Sequence, residues 1–228
     1  MIVPRFTQER CLILSDSDVE SLLAVSMASE QQSLTPNEAS VVIPAWWGIT
    51  DEDLDLLISA IDPACSKQAA LLGLRCENVH ALYPPEDERV DKSGLGQLQT
   101  RLLTEAAYLA ARSGIKRVIW PVRVASDSID RVAEIGSAID RALLISRLVT
   151  LDSTTETAPE VVIETPFVDL TDNQVQDLAR DMAVPIDTCW WAQGKTLEIA
   201  QPYRVRWAEL LTKSQRQIEP KPNTQTPA

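Results

Sequence analysis

The sequence predicts an α/β fold in which a parallel sheet carries helices on both faces. Three observations predict it. Short apolar runs recur at 11–14, 40–44, 77–83, 118–122 and 161–165. Segments with helical spacing alternate with them, the order expected of βαβ units. The first run, Cys11-Leu12-Ile13-Leu14, passes through a polar turn straight into an apolar helix. A strand, a tight turn and a helix make a phosphate site, because the turn offers backbone N–H groups and the helix N-terminus adds a positive dipole end.

Each element follows from local chemistry. The first helix starts after an N-cap at Ser15 or Ser17. Leu22, Leu23, Val25 and Met27 give it an apolar face, and the polar run 30–37 ends it. The second strand leads into Trp46-Trp47-Gly48. Thr50 then caps a helix whose first turn holds Asp51, Glu52 and Asp53, with a possible interruption at Pro63 before Gly73. The third strand, 77–83, stops at Pro84-Pro85. A charged loop, 86–96, precedes a helix over 98–112 that Gly114 terminates. After the fourth strand, Asp127 opens a long amphipathic helix to about Leu148. Thr171 caps a helix over 172–182, and a last helical segment lies near 200–211. One domain, 1–213, is expected, followed by a disordered tail, 214–228.

Composition bounds the function. The net charge is −12, so non-specific binding to nucleic acid or to an anionic membrane surface is not expected. No apolar run reaches the ~18 residues of a membrane span. The first ten residues lack the apolar core of a signal peptide, so the expected location is the cytoplasm. Cys11, Cys65, Cys76 and Cys189 are scattered and read as buried thiols. His80 is the only histidine, which leaves no partner for a histidine-based triad.

The first turn holds a chemical conflict. Phosphate must approach bare backbone, so such turns favour glycine. This one has none and carries Asp16, Asp18 and Glu20 instead. Those acids read as cap and first-turn residues, with a divalent-metal cluster as the alternative.

Beyond these readings, Ile163-Glu164-Thr165-Pro166 is followed by Asp169-Leu170-Thr171, Val184-Pro185 and Thr188-Cys189-Trp190. In this order the chain resembles the PP-loop ATP pyrophosphatases, and within them the 7-cyano-7-deazaguanine synthases of queuosine biosynthesis. The resemblance covers about residues 10–207. It implies a Rossmann-like sheet of the HUP (adenine nucleotide alpha hydrolase-like) type. It also implies an enzyme that uses ATP with magnesium to adenylate a carboxylate and then passes ammonia to it.

The departures from that family are concentrated in its site. Its S-G-G-x-D-S loop has as counterparts Ser15, Asp16, Ser17, Glu20 and Ser21, with one residue inserted and both glycines gone. The family's cap lysine is Asp172. Its long substrate loop is the short 126–131. Cys189 matches the first ligand of its zinc cluster, but the other three positions hold Leu197, Ala200 and Tyr203. Zinc is therefore not expected. Arg204 and Arg206 resemble the basic residues that trail the cluster.

The expectation is a degenerate relative with no catalytic residue, binding a small molecule or a protein partner. The alternative is an active ATP-dependent ligase whose rebuilt phosphate site draws on Arg101, Arg123 or Arg131. A crevice at the strand ends is expected to hold Ser15, Ser17, Trp46, Trp120 and Trp190, with Arg123 as its nearest cation. A homodimer is expected too, because Ile129, Val132, Ile135, Ile139, Leu143 and Ile145 spread over a wide face of the long helix.

Overall fold

The computed structural model describes residues 10–34, 39–49, 54–78, 82–84, 91–152, 160–193 and 198–211. In chain order the elements are β1 (Cys11–Ser15), α1 (Val19–Leu34), β2 (Val41–Pro44), α2 (Leu54–Leu71), β3 (Arg75–Cys76), α3 (Leu95–Arg112), β4 (Arg117–Ile119), α4 (Arg131–Asp152), β5 (Val162–Glu164), α5 (Asp172–Asp181) and α6 (Gln201–Arg206). The sheet order is β3-β2-β1-β4-β5, and every pairing is parallel. This is the predicted Rossmann-like α/β fold.

Strand alternation explains the two layers. Side chains of successive strand residues point to opposite faces. Cys11 and Ile13 accordingly pack with α1, α2 and α5, together with the C-terminal Trp191 and Trp207. Leu12 and Leu14 pack with α3 and α4. β1 is buried at every position, as the central strand of a doubly covered sheet must be. The chain leaves β1 toward β2 on one side, and β4 lies on the other. That arrangement opens a crevice at the C-terminal strand ends between β1 and β4.

Some boundaries differ from those expected. The third strand is Arg75–Cys76, ahead of the apolar run at 77–83. It lies at the sheet edge, partly exposed, where packing does not demand apolar residues. α2 runs unbroken through Pro63. The proline ring is exposed, so the backbone groups it leaves unpaired can turn to water. α3 begins three residues before the expected start and ends as foreseen, with Gly114 in the left-handed region at φ +67°. α4 starts at Arg131 rather than Asp127, because Ser128 N–H bonds Ala125 O to close a separate turn. Its first-turn Glu134 N–H then bonds Asp130 O, and the helix continues to Asp152. Thr171 caps α5 as expected, in a capping box with Gln174. The expectations for Thr50, for 51–53, for His80 and for the tail 214–228 lie outside the described residues.

One ion pair ties the sheet's far edge. Arg117 on β4 is 3% exposed and forks onto Glu164 of β5, with Nε–Oε1 at 2.6 Å and Nη2–Oε2 at 2.7 Å. Both atoms of the fork are used, which gives the pair directional strength. Replacing Glu164 by Gln leaves the buried guanidinium without its carboxylate. Urea unfolding of Glu164→Gln is expected to show a loss of about 2–3 kcal/mol. An unchanged midpoint would remove the pair from the account.

Candidate functional site

The site is built from the turn between β1 and α1. Ser17 holds φ +60°, a conformation that side chains rarely adopt and that costs about 1–2 kcal/mol. The turn is held there by α2. The Ser17 hydroxyl bonds Ile61 O at 3.3 Å and lies 3.0 Å from Cys65 Sγ. Gln68 Nε2 donates to Ser17 O at 3.4 Å. Cys65 Sγ donates in turn to Ser15 O at 3.3 Å. Ser15 and Ser17 are both fully buried. They anchor the turn and do not line the crevice, contrary to expectation.

The turn's own side chains occupy its amides. Asp16 N–H donates to Ser21 Oγ at 3.2 Å, and Ser17 N–H to Ser15 Oγ at 3.2 Å. Asp18 N–H donates to Asp16 Oδ1 at 3.0 Å, and Val19 N–H to Asp18 Oδ1 at 2.7 Å. Ser21 Oγ–H completes the ring by donating to Asp16 Oδ1 at 2.7 Å. These four consecutive N–H groups are the ones that an anion at this helix start would need. Because α1 begins at Val19, the cap residue is Asp18 rather than Ser15 or Ser17.

Two arginines face two other acids. Arg123 donates through Nε to Glu20 Oε1 at 2.7 Å and reaches Asp172 Oδ1 through Nη1 at 2.7 Å. Arg206 Nη2 bonds the same Glu20 Oε1 at 3.0 Å and Asp172 Oδ1 at 3.2 Å. The guanidinium of Arg206 also lies 4.2 Å from the ring centroid of Trp207. Each arginine thus bridges α1 to the start of α5.

Among the described residues, no cation pairs with Asp16 or Asp18 in this way. Burial raises the Asp16 carboxyl to about 6, with the charge of Glu20 adding to the rise. Asp18 is pushed well up by burial and by its neighbours Glu20 and Asp16. Its Oδ1 also accepts from Trp191 Nε1 at 2.7 Å. Burial raises Glu20 as well, and Arg123 pulls against it.

A cavity of about 170 Å³ sits over these groups, lined by Asp16, Asp18 and Glu20, by Trp46, Trp47 and Tyr203, and by Arg123 and Arg206. Gly48 closes its rim, where an added Cβ would lie 2.5 Å from the Trp46 ring, so no larger residue fits. A second cavity of about 530 Å³ shares Arg123 and runs between α3 and α4 past Gln99 and Arg141.

Of the crevice residues expected from sequence, Trp46 and Arg123 line the small cavity. Trp120 does not: it follows β4 on the opposite face and is fully buried between the sheet, α3 and α4. Trp190 is also in the core, edge-on to Tyr203 with ring centroids 5.0 Å apart. Glu20 lines the cavity, while Ser21 works within the turn. The bond from Trp191 to Asp18, the place of Tyr203 at the cavity and the pairing of Asp172 with Arg206 had no sequence signal, since segments far apart in the chain bring them together.

Phosphate groups do not fit this turn as it stands. Their amide donors are taken, and Asp16 and Asp18 occupy the approach. Zinc has no better fit at Cys189, which is fully buried and whose thiol burial and nearby acids push well up. The positions matched to its fellow ligands include Ala200 and Tyr203, while Leu197 lies outside the described residues. Among the described residues no three His, Cys, Asp or Glu side chains come together to hold a metal ion. No helix among them is long and apolar enough to cross a membrane.

The raised acids set a pH dependence. Between the ordinary carboxyl value of 3.8 and the folded value of about 6, Asp16 holds a proton that the unfolded chain has released. Stability therefore falls as pH rises through that window. The melting temperature should be a few °C higher near pH 5 than near pH 7. Asp18→Asn keeps an oxygen for Trp191 and Val19 and removes the ionisable group. It should raise the melting temperature at pH 7 and flatten the dependence; a variant that melts lower with an unchanged pH profile would refute this.

No family model matches the chain, and no curated protein matches it. Among solved structures, the chain is similar to the U34-tRNA thiolase NcsA of Methanococcus maripaludis, determined with its 4Fe-4S cluster. The identity is 12%, the match covers 94% of this chain and 74% of that one, and the TM-score is 0.48.

Proposed function

We propose that the chain is a PP-loop-type protein, resembling the 7-cyano-7-deazaguanine synthases, that has given up ATP-dependent ligation and binds a small ligand. The observation that carries this reading is the closed turn. Four amides that would hold phosphate are bonded to Ser15, Asp16, Asp18 and Ser21. An incoming phosphate must break those bonds and meet two carboxyl groups, each opposing it by about 1 kcal/mol or more.

The cavity supports a flat, neutral ligand. At about 170 Å³ it is smaller than the ~300–1,000 Å³ of typical ligand sites and has room for little beyond one ring system. Trp46, Trp47 and Tyr203 offer aromatic surface for stacking. The carboxyls of Asp16 and Asp18 supply polar groups for a ring's N–H and carbonyl edges. A purine or deazapurine base has this chemistry.

An active ligase with a rebuilt phosphate site is the second reading. The convergence of Arg123 and Arg206 at the strand ends favours it. Both arginines already bond Glu20 and Asp172, however, so with Asp16 and Asp18 four acids stand against two cations. Arg101 and Arg131 do not line the small cavity. Arg131 is instead bonded to Asp169 O at 2.7 Å.

Calorimetric titration with adenine, guanine, 7-deazaguanine and ATP with magnesium separates the readings. A base should bind at least as tightly as ATP, with no sustained release of AMP. ATP binding tighter than adenine, or AMP release above that of a Ser15→Ala, Ser21→Ala control, would overturn the proposal. If none of the four binds, the small-ligand reading fails and the protein-partner reading takes its place.

A further inference from the structure

The larger cavity, of about 530 Å³, is built differently from the small one. Its walls are the start of α3, the segment after β4 and the first turns of α4. Val122, Val124 and Ala138 are buried there and, with Leu95, give it an apolar lining. Among the described residues no aromatic ring lines it, whereas Trp46, Trp47 and Tyr203 line the small cavity. Such a wall offers no ring face for a planar ligand to stack on and suits a flexible aliphatic body.

Its charge also differs. Lys92, Arg123 and Arg141 reach it against one acid, Glu134, in a chain whose net charge is −12. Glu134 accepts from Ser128 Oγ at 2.9 Å, and Arg123 is held by Glu20 and Asp172. Lys92 is exposed and can be hydrated. Arg141 is fixed by neutral groups instead. Its Nε donates to Thr100 Oγ1 at 3.1 Å and its Nη1 to Gln99 Oε1 at 2.6 Å. Gln99 is oriented for this because its Nε2 donates to Trp47 O at 3.4 Å. The guanidinium lies against Gly96, where an added Cβ would stand 3.0 Å from Nη2. The first turn of α3 holds no acid to balance it. Among the described residues no carboxylate pairs with Arg141, and its Nη2 has no acceptor. Partial burial accordingly lowers its pKa from the ordinary value. A guanidinium oriented in advance, with N–H groups to spare and no counter-charge, is a seat for an oxyanion.

We propose that the larger cavity binds an aliphatic carboxylate, its head on Arg141 and its chain along Leu95, Val122 and Val124. One negative charge matches one unpaired guanidinium. A phosphate dianion would bring a second charge near Glu134 with no second fixed cation to meet it. The volume falls within the ~300–1,000 Å³ of typical ligand sites. Because α3 and α4 cover the other face of the sheet from α1, this site stands whether or not the small cavity binds a base.

Calorimetric titration of the full chain with octanoate tests it, with octanamide and inorganic phosphate beside it. Octanoate should bind saturably. Octanamide has the same chain without the charge and should bind about tenfold more weakly. Arg141→Gln should weaken octanoate by a similar factor and leave octanamide unchanged. Ala133→Phe, at an exposed position of the cavity wall, should block both with unchanged circular dichroism. Saturating adenine should not displace octanoate. No saturable octanoate binding, phosphate binding more tightly than octanoate, or octanoate affinity indifferent to Arg141→Gln would overturn the proposal. Displacement of octanoate by adenine would put the probe in the small cavity and overturn it as well. A failure of adenine itself to bind counts against the small cavity alone.

Discussion

The structure depends on one constraint: a strained turn that must satisfy its own backbone. Ser17 stands in the left-handed region without being glycine, which costs free energy that α2 and the neighbouring serines offset. The same turn starts α1, so its amides would be unpaired donors. In a phosphate site the ligand satisfies them. Here Ser15, Asp16, Asp18 and Ser21 do so, and the chain closes on itself. Introducing glycines would free the backbone and uncover the donors together, which links the loss of glycine to the gain of acids.

That closure sets the electrostatics of the strand ends. An acid at a helix N-terminus gains about 0.3–1 kcal/mol from the dipole. Removing a carboxylate from water costs several kcal/mol unless it is paired. Burial wins for Asp16 and Asp18, whose carboxyls rise. Glu20 has Arg123 and Arg206 and rises against their pull. The two arginines are in turn fixed by Asp172, at the start of α5. A cation that could meet a phosphate is thus held in place as a clasp between α1 and α5.

The fold was legible because β1, β2 and β4 are buried on both faces, which makes their sequences almost continuously apolar, Arg117 at the start of β4 being the charged exception. β3 escaped notice because Arg75 and Cys76 lie at an edge and need no such pattern. The start of α4 was misplaced because Asp127 has a cap residue's chemistry, yet it belongs to the turn that Ser128 closes. The turn at Ser15–Ser21 was legible as a conflict between shape and charge. Its resolution was not. Arg206 is 186 positions from Glu20, and Trp191 is 173 from Asp18. The adjacent tryptophans show the limit most plainly. Trp46 and Trp47 both reach the cavity from opposite sides, whereas Trp190 packs in the core and its neighbour Trp191 holds Asp18.

The central claim is that the turn refuses phosphate because its own side chains fill the anion's place. Titration with inorganic pyrophosphate, followed by tryptophan fluorescence, tests this most directly when the wild type is set beside Asp16→Gly, Asp18→Gly. That variant uncovers the amides of Asp18 and Val19 and removes two carboxyls. The account predicts no response in the wild type and saturable binding in the variant. Saturable binding of equal strength in both would contradict it.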